Sequence, residues 1–203
     1  MKLLFLGDSI TDCNHCFDPA ELGNGYVRMI AEHYSDVQIC NRGFDGFTVS
    51  RVYDAWQRLP EEEKNQIDIV SVLVGINDVG MWMDCGKTDA QIMQNTENFR
   101  QIYEDLACLL MDDGICRVIL MEPFIFPVPS RYQCWMPWAE KISKDIATIA
   151  QRFEFAFLPL QQQLLEAAEQ KGYGAITRDG IHLTEEGNRI LANAWISQNR
   201  NYC

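Results

Sequence analysis

The chain has 203 residues, 47% of them hydrophobic, and its 17 basic and 29 acidic side chains give a net charge of −12. That apolar share can fill a sizeable core and excludes a disordered chain. The anionic balance repels phosphate backbones and anionic lipid, so neither nucleic acid nor a membrane surface is an expected partner.

The length suits one α/β domain, residues 1–203. The apolar stretch after Met1-Lys2 stops at Gly7-Asp8, shorter than the roughly 7–15 apolar residues of an export signal. No run approaches the roughly 18 apolar residues of a membrane helix. A cytoplasmic location is therefore expected, with Cys13, Cys16, Cys40, Cys85, Cys108, Cys116, Cys134 and Cys203 as thiols.

The first predicted strand, Lys2–Leu6, runs directly into Gly7-Asp8-Ser9-Ile10-Thr11. A buried strand that ends in this way delivers a serine to its carboxyl edge, where open α/β sheets bind ligands. Taken alone, Ser9 is more simply a helix cap. Thr11 stands where the G-x-S-x-G elbow of α/β-hydrolases has its last glycine, which argues against that fold but not against a serine enzyme. Cys13-Asn14-His15-Cys16 resembles half a zinc site, but no second pair with that spacing follows, and no metal or other cofactor is expected. On this reading no acid is spaced to orient His15, and His33 lies in a helix.

Helices are predicted at Gly25–Tyr34 and Thr48–Leu59, on either side of a second strand at Val37–Asn41. Arg42-Gly43 follows that strand, and a glycine there lets a backbone N–H approach a ligand closely. The third strand, Ile67–Val74, is almost continuously apolar and β-branched, as a strand covered on both faces should be. Behind it Gly75-Ile76-Asn77-Asp78 presents an amide side chain beside a flexible glycine; alone, Asn77 reads as a turn residue. Ala90–Met111 carries apolar residues at helical spacing and ends at Asp113-Gly114. Strands at Arg117–Met121 and Glu154–Pro159 and helices at Trp138–Phe153, Leu160–Lys171 and Thr184–Gln198 complete the chain. Strands alternating with helices imply a doubly wound parallel sheet. Pro123 to Pro137 reads as an ordered loop bordering the site. Trp82, Trp135 and Trp138 are expected in loops near the same edge, as ordinary packing or as an aromatic wall for a sugar or acyl group.

Near the end stands Asp179-Gly180-Ile181-His182. That spacing lets carboxylate and imidazole meet across one tight turn, so the acid can hold Nδ1–H and leave Nε2 free. Alone this is a surface turn, but with Ser9 it supplies the parts of a nucleophilic hydrolase. Two near-motifs fail: Gly23-Asn24-Gly25 has Arg28 where a dinucleotide fingerprint needs glycine, and Gly86-Lys87-Thr88 has Met81 where a phosphate loop needs its first glycine.

Gly7-Asp8-Ser9, Asn41-Arg42-Gly43, Gly75-Ile76-Asn77-Asp78 and Asp179-x-x-His182, in this order across the whole chain, resemble the four motif blocks of the SGNH, or GDSL-type, hydrolase family. The resemblance implies a three-layer α/β/α flavodoxin-like sandwich with five parallel strands. It also implies Ser9 as nucleophile with Asp179 and His182 completing a triad, and Ser9, Gly43 and Asn77 as oxyanion donors. Gly7 to Cys13, Leu22-Gly23-x-Gly25-Tyr26-Val27 and Gly75 to Val79 are most similar to small intracellular acetylxylan-esterase-like members, although Leu183 follows His182 where many relatives carry proline. The expected activity is hydrolysis of short, acetyl-type esters of a carbohydrate or similar small neutral substrate. Asp8, Trp82 and Trp135 are candidate substrate contacts, and homo-oligomerisation is expected from the subgroup resemblance. The alternatives are a lysophospholipase or thioesterase acting on longer acyl chains, and a non-catalytic doubly wound domain that binds a small ligand.

Overall fold

The computed structural model describes residues 1–34, 36–115 and 117–199, so Cys116 and Cys203 lie outside the described residues. Its strands are β1 (Lys2–Gly7), β2 (Gln38–Gly43), β3 (Ile69–Leu73), β4 (Val118–Met121) and β5 (Ala156–Leu158). They pair in parallel in the order β2-β1-β3-β4-β5. The helices are α1 (Ser9–Asp12), α2 (Tyr26–His33), α3 (Val49–Gln57), α4 (Glu61–Lys64), α5 (Ile76–Asp84), α6 (Asp89–Asp112), α7 (Met136–Arg152), α8 (Gln161–Lys171), α9 (Tyr173–Ile176) and α10 (Glu185–Gln198). One group, α3, α6 and α7, packs together, and α10 packs against α2, α8 and α9, so the sheet is the middle of three layers.

β1 explains the arrangement. Its Leu3, Leu4, Phe5 and Leu6 are buried because strands flank it on both sides and helices cover both faces. Parallel pairing in register brings Gly7 beside Gly43 on one side and Leu73 on the other. Three strand ends therefore meet at the point where the strand order reverses, the crevice where such sheets bind ligands. Trp195 of α10 reaches the sheet, donating its indole N–H to Ser71 Oγ of β3 at 2.9 Å. The starts of α6 and α10 are capped: Thr88 and Gln91 form a reciprocal capping box for α6, and Thr184 Oγ accepts the Gly187 N–H ahead of α10.

All five predicted strands are present, with differences at their ends. β2 continues past Asn41 to Gly43 because β1 supplies a ladder partner out to Gly7. What read as a Gly-Ile-Asn-Asp turn is the start of α5, so Asn77 and Trp82 stand on a helix rather than in loops. α7 opens at Met136, with Pro137 in its first turn, where a missing N–H costs nothing. Residues 123–135 form an ordered connection that includes a 3₁₀ turn at Ser130–Cys134.

Candidate active site

Ser9 opens α1 directly after β1, and Asp8 makes that junction rigid. The Asp8 carboxylate caps α1 by accepting the Ile10 N–H at 3.0 Å. Asp8 is only 1% exposed. Burial pushes its pKa up to about 7, against the opposing pull of the Ile10 N–H and His182. Asp8 thus lies beneath the serine rather than on the cavity wall.

His182 arrives on a turn built around its own acid. Asp179 Oδ1 accepts the backbone N–H groups of Ile181 at 2.9 Å and His182 at 2.8 Å, and Oδ2 lies 2.7 Å from His182 Nδ1. Burial raises the Asp179 pKa, but the bonds from the His182 ring and the two N–H groups outweigh it and hold the carboxyl below its usual range. Thr177 Oγ accepts the Gly180 N–H and donates to the His182 carbonyl. Gly180 itself has φ 98°, and a Cβ there would lie 1.8 Å from the Val128 carbonyl oxygen. Only glycine allows the 123–135 connection to pack against this turn.

Ser9 Oγ is 2.8 Å from His182 Nε2. A carboxylate accepts only, so the ring proton belongs on Nδ1 and Nε2 is the acceptor for the serine hydroxyl. The two ends of the chain, 173 residues apart in sequence, supply one hydrogen-bonded chain of hydroxyl, imidazole and carboxylate.

The donor side of the site departs from the expectation at Gly43. Its N–H is given to Asn41 Oδ1 at 2.9 Å, and a Cβ on it would lie 2.3 Å from the Asp12 nitrogen. Gly43 is therefore a packing glycine beneath α1, because β2 extends to it and α1 crosses directly over. The glycine that sequence reasoning missed is Gly46. Phe44 to Phe47 form a turn closed by the Phe47 N–H on the Phe44 carbonyl at 3.1 Å, with Gly46 at φ 70° in the third position. A Cβ on Gly46 would meet nothing within 4 Å. Among the described residues the N–H groups of Ser9 and Gly46 have no acceptor. α5 holds this turn: Asn77 Nδ2 donates to the Phe47 carbonyl at 3.0 Å, and Asp78 Oδ2 accepts the Val49 N–H at 3.1 Å. The other Asn77 amide hydrogen remains available. The signal for Gly46 was present in Asp45-Gly46, a turn dipeptide.

Ser9 and His182 line a cavity of about 210 Å³ with a mostly polar wall that includes Asn14, Asn24, Asp45 and Arg178. Trp82 and Trp135 are not on that wall. They are 8% and 6% exposed. Trp82 packs edge-on against Phe99, and Trp135 lies against Tyr132 and Gly80. Trp138 is half-buried on α7. His15 also differs from expectation, for Asp12 Oδ1 lies 2.5 Å from its Nδ1. Cys13 turns its thiol to the Ile10 carbonyl at 3.3 Å, and burial pushes its pKa up to about 11. His33 is exposed on α2, edge-on to Tyr34. Among the described residues no helix is long and apolar enough to cross a membrane.

A five-stranded parallel sheet with this constellation at its carboxyl edge has the architecture of an SGNH-type α/β hydrolase, a carboxylic ester hydrolase. The chain belongs to the GDSL-like Lipase/Acylhydrolase family, which it matches over residues 5–190. It is 28% identical to an acetylxylan esterase of Geobacillus stearothermophilus over 97% of this chain and 93% of that protein. The crystal structure of an acetylxylan esterase from that organism superposes with a TM-score of 0.78 at 25% identity, again over 97% and 93% of the two chains. An α/β hydrolase from the metagenome of Lake Arreo, Spain, shares the fold at a TM-score of 0.81 and 22% identity, with the same coverage.

Proposed function

We propose that the protein is a serine esterase that removes a short acyl group, acetyl above all, from a carbohydrate or similar small neutral substrate. The observation that carries this reading is the unbroken contact from Ser9 Oγ through His182 to Asp179, 2.8 Å and 2.7 Å long. Ser9 attacks the ester carbonyl while His182 Nε2 takes its proton, and Asp179 stabilises the imidazolium that results. The tetrahedral oxyanion is held by the N–H groups of Ser9 and Gly46 and by the Asn77 amide, with Gly46 in the role first expected of Gly43. His182 then protonates the leaving alcohol. Water, activated by the same imidazole, hydrolyses the acyl-enzyme and restores Ser9. The small polar cavity supports a short acyl group and a hydroxyl-rich alcohol, as does the likeness to an acetylxylan esterase.

Ser9→Ala tests the reading directly. Hydrolysis of p-nitrophenyl acetate should fall to background while the circular dichroism spectrum and Tm stay at wild-type values; retained turnover would overturn it.

A further inference from the structure

The turn behind α1 gathers three metal-ligating side chains that ester hydrolysis does not use. Asp12 ends α1, Cys13 and Asn14 follow in the left-handed region at φ 40° and 64°, and a 3₁₀ turn starts at His15. This reversal stacks Asp12, His15 and Cys16 so that one donor atom from each lies within 4.8 Å of the other two. Asp12 Oδ1 accepts the His15 N–H at 3.1 Å and sits 2.5 Å from Nδ1. Cys16 Sγ is 3.5 Å from His15 Nε2 and 3.9 Å from Nδ1. The edge of Phe44 packs against the His15 ring. Asp12 and His15 are buried and fixed, whereas Cys16 is exposed and free to turn about χ1.

Carboxylate, imidazole and thiolate form a borderline-soft donor set. It suits zinc-class cations rather than calcium or magnesium, which take oxygen ligands. Zinc bonds of about 2.0–2.2 Å to nitrogen and oxygen and about 2.3 Å to sulfur put neighbouring tetrahedral donors roughly 3.3–3.6 Å apart. With Nδ1 as the imidazole donor, the Sγ–Nδ1 separation of 3.9 Å lies close to such an edge, and a small rotation of the exposed Cys16 side chain closes it. The Asp12–His15 pair, closed at 2.5 Å around a proton, opens by about 1 Å when a cation takes the proton's place.

We propose that Asp12, His15 and Cys16 form a binding site for a divalent cation of the zinc class behind the wall of the catalytic cavity. Cys13 and Asn14, between the ligands, line that cavity together with Asp45, so occupancy pins a segment of its wall. Binding releases the Cys16 thiol proton to solvent, and the His15 ring keeps its one proton on Nε2 while Nδ1 takes the cation. The site is independent of the esterase mechanism, and so is its test.

The reduced, metal-free full chain is titrated with Co²⁺ and its absorption recorded. One equivalent should develop a thiolate-to-cobalt charge-transfer band together with tetrahedral visible bands, and Zn²⁺ should displace both. Cys16→Ser should remove the charge-transfer band, and His15→Ala should weaken binding at least ~10-fold. Cys85→Ser, which alters another exposed thiol, should leave the titration unchanged. A circular dichroism spectrum and Tm of metal-free Cys16→Ser at wild-type values show that this variant is folded. A missing band in the wild type, or a band that survives in Cys16→Ser, overturns the proposal.

Discussion

Two Asp-x-x-His units in this chain share one local geometry. In each, Asp Oδ1 accepts the backbone N–H of the histidine three residues on, and the ring Nδ1 meets a carboxylate oxygen. What lies at Nε2 separates them: a serine hydroxyl at 2.8 Å for His182, a thiol at 3.5 Å for His15. The role of Asp179 as orienter predicts that Asp179→Asn lowers kcat on the order of 10⁴-fold, because the amide favours the wrong ring tautomer. Asn77→Ala should lower kcat by about 10²–10³ with little change in KM, as expected of a donor used mainly in the transition state. The two glycines of the β2–α3 connection should separate cleanly. Gly43→Ala puts a methyl against the Asp12 nitrogen and should lower Tm, whereas Gly46→Ala meets open space but sits at φ 70°. The latter costs about 1–2 kcal/mol of backbone strain and should shift the donor N–H, so kcat falls with it. Equal kcat losses without a stability difference would argue against the assignment of the donor to Gly46.

At the scale of elements, the site depends on where strands stop and what ties the following turns. β2 ends level with β1, α1 lies over it, and α5 anchors the 44–47 turn through Asn77 and Asp78. The His182 turn is similarly held, the Phe126 N–H donating to the Gly180 carbonyl at 2.9 Å. Gly180→Ala forces Val128 away and should displace Asp179 and His182 together. Its kcat/KM should drop well beyond what the accompanying fall in Tm explains, measured at a temperature where the variant is fully folded. β1, the long helix α6 and the capped start of α10 were legible in the sequence because their signals are local: an apolar run, helical spacing, a Thr-led cap. α5 was not, since Gly-Ile-Asn-Asp has turn chemistry, and only packing of Ile76, Val79 and Trp82 into the core makes it a helix.

For the whole molecule, stability should depend on pH in a direction set by buried acids. Burial pushes Asp8 and Asp78 each up to about 7, above their unfolded values near 4. Between those limits the folded chain holds more protons than the unfolded one, so these groups make stability fall as pH rises from about 4 through about 7. Asp78→Asn keeps an acceptor for the Val49 N–H without the titration, and its Tm should vary less between pH 5 and pH 8 than the wild type's. The small cavity at Ser9 carries a second expectation: acetyl esters should be hydrolysed with higher kcat/KM than octanoyl esters. Octanoyl preference in a chain-length series would favour the long-acyl reading instead.

The motif blocks, the parallel alternation and the Ser9, Asn77, Asp179 and His182 set were readable in one dimension, because a strand end followed by a small or polar residue has local chemical meaning. The tertiary structure decided which glycine N–H stays unpaired, that Trp82 and Trp135 belong to the core rather than the cavity, and that Asp12 serves His15. Those outcomes depend on the register of β1 with β2 and on a left-handed turn at Cys13 and Asn14. Strand register and core packing join segments far apart in the chain, which no window of adjacent residues encodes, whereas the Asp12–His15 contact spans three residues and follows from the local reversal at Cys13 and Asn14.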